Sequence, residues 1–207
     1  TAIRGYQLVI LTIAVSFGIF MNVLDASIAN VAIPTIAGNM AVSPDEGTWV
    51  ITSFTVTMAI TLPITGWLAK RFGEVRLFVW STGLFTLFSI LCGLSTTFTM
   101  LLINRIFQGA MAGPMIPLSQ SLLLVNFPRD KKSLATGLWA MVAVTGPVLG
   151  PILGGYITDN ISWPWIFYIN VPVGIFSVYF TWKILKDRET KTLKLPMDYI
   201  GLILLAV

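Results

Sequence analysis

Residues 9–33 read VILTIAVSFGIFMNVLDASIANVAI. The run is longer than the roughly 20 residues a helix needs to cross a bilayer, and it holds one charge, Asp25. A stretch of this length and polarity is a membrane span, and the acid inside it is the first candidate functional group.

Working outward, further apolar stretches of spanning length cover 49–69, 77–94, 99–124, 133–156 and 165–182, and another begins near Tyr199. A β-barrel would instead show segments of about ten residues with alternating polarity. The expected fold is an all-α polytopic membrane protein. It comprises a six-helix bundle over 1–182, a basic loop over 183–198 and the start of a seventh helix over 199–207. The loop reads either as a linker between halves or as a basic surface loop. The chain starts at Thr1, shows no cleavable signal and stops inside an apolar run. It is therefore expected to be the first part of a longer protein.

Composition agrees. Hydrophobic residues make up 56% and charged residues 11%, against about 25% charged in a soluble domain. The net charge of +4 does not signal nucleic acid, because the basic residues sit in alternate short loops. Arg4 precedes the first span, and Lys70, Arg71 and Arg76 follow the second. Arg129, Lys131 and Lys132 follow the fourth, and Lys183, Lys186, Arg188, Lys191 and Lys194 follow the sixth. The other three loops hold no Lys or Arg, so the N-terminus is expected to be cytoplasmic. Trp49, Trp67, Trp163, Trp165 and Trp182 fall at span ends, where interfacial anchors belong.

There is no His, which removes the commonest general base and metal ligand. Cys92 is alone in an apolar run, so disulfides and a cysteine metal site are excluded and a small buried hydrophobe is expected. No phosphate loop, hydrolase elbow or metal motif occurs. An intramembrane enzyme would need a nucleophile–base pair, and a channel would need a charged ring or filter-like loop. Neither is found.

Two spans carry polar groups at membrane depth. In the first, Asn22, Asp25 and Asn30 fall within an arc of about 140° on a helix. A charge near the bilayer centre costs about 2.5–3.5 kcal/mol, so this face is either a helix–helix hydrogen-bond contact or a proton or cation site. In the fourth, Asn104, Gln108, Met111, Met115 and Ser119 share a face with Arg105 at its edge. The methionines suit adaptable apolar ligands and equally suit packing. The first span runs outward and the fourth inward. This places Asp25 roughly 6 Å and Arg105 roughly 9 Å to the outer side of their span centres. At similar depth, each is the other's natural partner.

The fifth span contains Gly146-Pro147-Val148-Leu149-Gly150-Pro151-Ile152-Leu153-Gly154-Gly155. Such density of Gly and Pro would break a soluble helix but allows close backbone approach in a membrane bundle. Glycines 146, 150 and 154 make one smooth stripe, read as a packing seam. The second span ends in Gly66-Trp67-Leu68-Ala69-Lys70-Arg71-Phe72-Gly73-Glu74-Val75-Arg76, a basic turn with two glycines.

Together these segments resemble the major facilitator superfamily and, within it, the fourteen-helix drug:proton antiporters of the EmrB/QacA type. Leu24-Asp25 through Asn30 to Pro34 looks like that group's helix-one motif. Gly66 to Arg76, with Lys70, Arg71 and Gly73, looks like the loop motif between helices two and three. Leu101 to Arg105, Gln108 and Gly109 look like the helix-four motif. Gly146, Pro147, Gly150, Pro151, Gly154 and Gly155 fit the antiporter motif of helix five. Three departures stand out. Lys70 replaces the loop motif's usual Asp, as in the EmrB-like subgroup. Glu74 and Val75 replace basic residues, and Met111 replaces a Gly.

The resemblance implies the N-terminal half of a secondary active transporter, not an enzyme, exporting hydrophobic or amphipathic drugs across a bacterial inner membrane by alternating access. It implies proton coupling through Asp25 and Arg105, and a substrate cavity reached by Asn22, Asn30, Asn104, Gln108, Met111 and Met115. It implies no cofactor and no metal, only the proton motive force. The implied partners are the lipid bilayer, a periplasmic adaptor and an outer-membrane channel, with no nucleic acid. A nutrient importer of the same superfamily is the alternative, which the doubled Gly-Pro stripe disfavours.

Overall fold

The computed structural model describes residues 3, 5–189 and 192. Among them the chain is helical, without strands. The helices are α1 (Tyr6–Asn39), α2 (Pro44–Gly47), α3 (Trp49–Phe72), α4 (Glu74–Gly93), α5 (Phe98–Asn126), α6 (Lys132–Asn160), α7 (Trp165–Tyr168) and α8 (Asn170–Leu185). A 3₁₀ turn over Arg129–Lys131 leads into α6. The expected start of a seventh helix, Arg4 and most of the 183–198 loop beyond Glu189 lie outside the described residues.

The long helices α1, α3, α4, α5, α6 and α8 are the six expected spans. Five are long and apolar enough to cross a membrane, with α2 continuing into α3 and α7 into α8. The helix left out is α5. It has 29 residues, but Asn104, Arg105, Gln108 and Asn126 lower its hydropathy. Its polar residues turn inward: all four of these are buried. The helix that composition ranks lowest thus carries the bundle's polar core.

Boundaries follow local chemistry. α1 runs beyond the expected 9–33, through Pro34, which a membrane helix tolerates. It stops before Ala41, whose φ is 53°. Ser43 and Glu46 form a capping box at α2, satisfying the first free N–H groups. α3 stops at Gly73, whose φ of 95° suits a residue without a Cβ.

Contact is closest where side chains are smallest. α1 packs on α6, α8 and α5, and α5 packs on α3 and α4. A Cβ added to Gly109 would meet the Phe54 carbonyl carbon of α3 at 2.9 Å, and one on Gly113 would meet the Met58 oxygen at 2.9 Å. Apolar clusters fill both ends of the bundle. One gathers Leu11, Val15, Phe78 and Leu122, and the other Ile28, Ile36, Leu101 and Ile166. Trp163 corrects an expectation. It is only 8% exposed and packs edge-on against Phe167, so it is a core residue and not an interfacial anchor. Trp49, Trp165 and Trp182 are exposed, as anchors should be.

Candidate functional site

Asp25 of α1 and Arg105 of α5 meet inside the bundle, level with the first turns of α3 and α8. Both side chains have zero exposure, and Arg105 Nη1 donates to Asp25 Oδ2 at 2.5 Å. The pairing expected from depth is therefore present. Desolvating two charges costs several kcal/mol per ion, and mutual attraction offsets this only when the remaining polar atoms are also satisfied.

The neighbours supply most of that satisfaction. Gln108, one helical turn after Arg105, accepts from Arg105 Nη1 at 2.7 Å and donates to Asp25 Oδ1 at 3.2 Å. Asn170, at the start of α8, donates to the same Oδ1 at 3.0 Å and to Ser89 Oγ of α4 at 3.1 Å. Ser89 in turn donates to the Phe167 carbonyl at 2.9 Å. Arg105 Nε donates to the Val50 carbonyl of α3 at 3.0 Å. Its guanidinium lies 4.2 Å from the Phe54 ring centre and 5.5 Å from that of Phe167, where aromatic faces stabilise a cation. Cys92 is buried as expected, and its thiol also donates to Gln108 Oε1 at 3.5 Å. Two atoms are left without a partner, Arg105 Nη2 and Asn170 Oδ1.

Only Arg105 has a permanent charge here, since a guanidinium does not deprotonate in proteins. Asp25 supplies the anion to which Arg105, Gln108 and Asn170 all donate.

Other polar residues are placed differently. Asn22 is 2% exposed and donates to the Ala112 carbonyl of α5 at 2.8 Å, tying two helices together. Asn104 donates to the Leu91 carbonyl and to Ser95 Oγ, each at 3.2 Å, tying α5 to α4. Asn30, expected on one face with Asp25, is exposed and belongs to none of the contacts around it. Met115 is fully buried beside Met21, Phe54 and Phe85, with Met111 packed against the same cluster. These methionines pack. Sequence reasoning missed Asn170, Ser89 and Phe54. A polar residue inside the sixth span was the signal available for Asn170.

The glycine stripe of α6 faces α1. A Cβ on Gly146 would meet Val23 at 2.9 Å, one on Gly150 would meet Ser27 Cβ at 2.5 Å, and one on Gly154 would meet Ile28 Cγ1 at 3.0 Å. Gly155 has open space, and Pro147 and Pro151 are exposed. Ser27 Oγ donates to the Pro147 carbonyl at 3.4 Å.

At the loop motif, Lys70, Arg71 and Gly66 are exposed, and Arg71 stacks 5.3 Å from the Trp67 ring centre. A carboxylate reaches this turn from beyond α8. Glu189 accepts from the Val75 and Arg76 backbone N–H groups at 3.0 and 2.9 Å and lies 3.9 Å from Arg76 Nε. It caps the N-terminus of α4 over Gly73, where an anion is favoured. Glu74 accepts from Ser121 Oγ of α5 at 2.8 Å.

Residues 15–198 match the family model described as Major Facilitator Superfamily. The chain belongs to that superfamily. Its fold agrees: a crystal structure of the peptide transporter POT in complex with sulfate aligns with a TM-score of 0.78 at 14% identity, over all of this chain and 44% of that one. The POT family transporter PepTSo aligns over 95% of this chain and 40% of its own, also with a TM-score of 0.78. Much nearer in sequence are members named multidrug export protein EmrB, from Haemophilus influenzae and from Escherichia coli strain K12, each 57% identical over 99% of this chain. The fatty acid resistance protein FarB of Neisseria gonorrhoeae is 52% identical over the same share. The chain spans about 40% of the length of each of these three relatives. It is a multi-pass membrane protein of this transporter superfamily.

Proposed function

We propose that this chain forms the N-terminal half of a proton-driven drug exporter in which Asp25 carries the proton. The observation behind this reading is the buried network of Asp25, Arg105, Gln108 and Asn170. It joins α1, α5 and α8, so the charge on one carboxylate bears on three helices. With Asp25 ionised, the three helices are held together. With Asp25 protonated, Arg105 faces neutral partners, and another packing becomes favourable. That difference in interaction energy is what a conformational switch requires.

Drug export is supported by the names of the relatives. Substrates on this reading are apolar or amphipathic compounds, moved by alternating access between two halves. The basic loops favour a cytoplasmic N-terminus in a bacterial inner membrane. A periplasmic adaptor and an outer-membrane channel complete the proposed system, which uses the proton motive force and no cofactor.

The test uses the whole protein in proteoliposomes, measuring drug efflux and drug-driven proton movement together. Asp25→Asn is expected to insert normally and lose proton-coupled efflux. Full coupling in that variant would remove the basis of the proposal.

A further inference from the structure

We propose that the contact between α4 and α8 holds a file of bound water that carries protons between the Asp25 network and the basic end of the bundle, where α4 begins and α8 finishes. Its buried face presents Thr82, Thr86 and Ser89 of α4 and Asn170, Ser177 and Thr181 of α8, each at most 6% exposed.

These residues fall on one line. Within each helix they recur at helical spacing, so each set keeps to one face. Three pairs fix the antiparallel register. Asn170 donates to Ser89 Oγ at 3.1 Å. A Cβ on Gly174 would overlap the Thr86 hydroxyl, and one on Gly83 would lie 3.8 Å from Val178 Cγ2. That register puts Thr82 level with the turn between Ser177 and Thr181. The chain of α1 adjoins the same line, where Ser177 Oγ donates to the Ala14 carbonyl at 2.6 Å. Asn170 and Thr181 lie roughly 16 Å apart along α8. No charged residue occurs in 77–91 or 170–182. Phe78 and Leu185, one turn beyond Thr82 and Thr181 and fully buried, close the far end, so exchange there requires these two to part.

Hydroxyls inside a helix ordinarily satisfy themselves by donating to the carbonyl four residues back. Thr57, Thr61 and Thr65 of α3 do so at 2.8, 3.0 and 3.1 Å, and Thr86 does so at 2.8 Å. Thr82 and Thr181 do not. Both have zero exposure, and neither Oγ1 has a hydrogen-bond partner among the described residues. Asn170 Oδ1, at the head of the line, is a third such atom. Buried water binds where unsatisfied polar groups converge, making about three hydrogen bonds. A hydroxyl offers a donor and acceptor sites, and an amide oxygen accepts. A ligand here must give and take hydrogen bonds and fit between two packed helices, which water does.

A proton leaves the Asp25 carboxyl for a neighbouring water. Each member of the file passes one proton on as it receives one, and one proton leaves beyond Thr181. Asp25 is left as the carboxylate facing Arg105, and no other group changes charge. At Gly174 the Thr86 hydroxyl fills the gap and is itself the relay.

The proton role rests on the exporter reading, and the water rests on the unpaired hydroxyls alone. The test uses the whole protein in proteoliposomes. Hydroxyl radicals generated in place by an X-ray pulse mark residues beside bound water, buried ones included. Phe78 and Phe85, each within one turn of Thr82 and with zero exposure, are expected to be marked in the wild type. Thr82→Val combined with Thr181→Val keeps side-chain shape and removes both hydroxyls. This variant is expected to retain its melting temperature, lose both marks and slow drug-driven proton movement about tenfold, the worth of one hydrogen bond at the limiting step. Thr82→Ser with Thr181→Ser should behave as wild type. Thr86→Val, which cuts the relay, should also slow proton movement. Unmarked phenylalanines in the wild type, marks that survive the valines, or wild-type proton rates in either valine variant would overturn the file. Marks lost to valine in a protein that moves no protons with drug would defeat the exporter reading and leave the water standing. Coupled efflux indifferent to the valines would do the reverse.

Discussion

Two arginine–carboxylate contacts in this protein share a chemistry and differ in everything else. Asp25 and Arg105 touch at 2.5 Å with no exposure on either side chain. Arg76 and Glu189 lie 3.9 Å apart, with 55% and 16% exposure. In the first, each charge depends on the other because water is absent. In the second, solvent screens the pair, and the carboxylate acts mainly through two backbone N–H groups. The contrast teaches that an ion pair's importance is set by what remains after one partner is removed.

The largest effect is therefore expected from Arg105→Ala. It leaves an uncompensated buried carboxylate or forces a proton onto it, a loss of about 3–5 kcal/mol. Thermal melting in detergent should show a large drop, with Asp25→Asn added to Arg105→Gln recovering part of it. No recovery in the double variant would show that the two side chains act independently.

Next comes the seam that holds α1, and Asp25 with it, against α6. Gly150→Leu should separate the two helices and abolish transport or open a proton leak, because even a Cβ meets Ser27 at 2.5 Å. Gly155→Ala, whose added Cβ would have no neighbour within 4 Å, should behave as wild type. If Gly150→Leu changed only the choice of substrate, a drug-contact role would replace the packing role.

Asn170→Ala should cost less than losing Arg105, about 1–3 kcal/mol, since it strands part of Asp25 and of Ser89 without removing a charge. Its melting temperature should fall between those of wild type and Arg105→Ala. A loss as large as that of Arg105→Ala would mean the amide, not the guanidinium, holds the carboxylate. The smallest effect belongs to the surface pair. Glu189→Ala should cost about 1 kcal/mol through the lost cap of α4, with most of that loss persisting in high salt because the N–H contacts are not ion pairs. A penalty that vanished in salt would assign the role to Arg76 instead.

Much of this was legible beforehand, for identifiable reasons. The bilayer fixes span length and loop charge, so the six helices could be read from apolar runs, and a common depth scale could match Asp25 with Arg105 across eighty positions. Depth says nothing about which way a helix face points, and an arc of about 140° is wide enough to reach from core to surface, so Asn30 shares that arc with Asp25 and is nonetheless exposed. It also says nothing about which distant helix arrives alongside, so Asn170 and Ser89 were not recognised as partners of that carboxylate. Trp163 was misread because aromatic residues favour both the interface and the core, and only packing against Phe167 separates the two.

The glycine seam also sets a register. Val23, Ser27 and Ile28 stand over Gly146, Gly150 and Gly154, and the holes end there. Four residues before Gly146 stands Val142, and four after Gly154 stands Thr158. A slip of α6 by one repeat, about 6 Å along its axis, would drive a branched side chain into a place shaped for hydrogen. The seam thus works as a three-notch rack with a stop at each end, and it fixes the height at which α1 presents its acid.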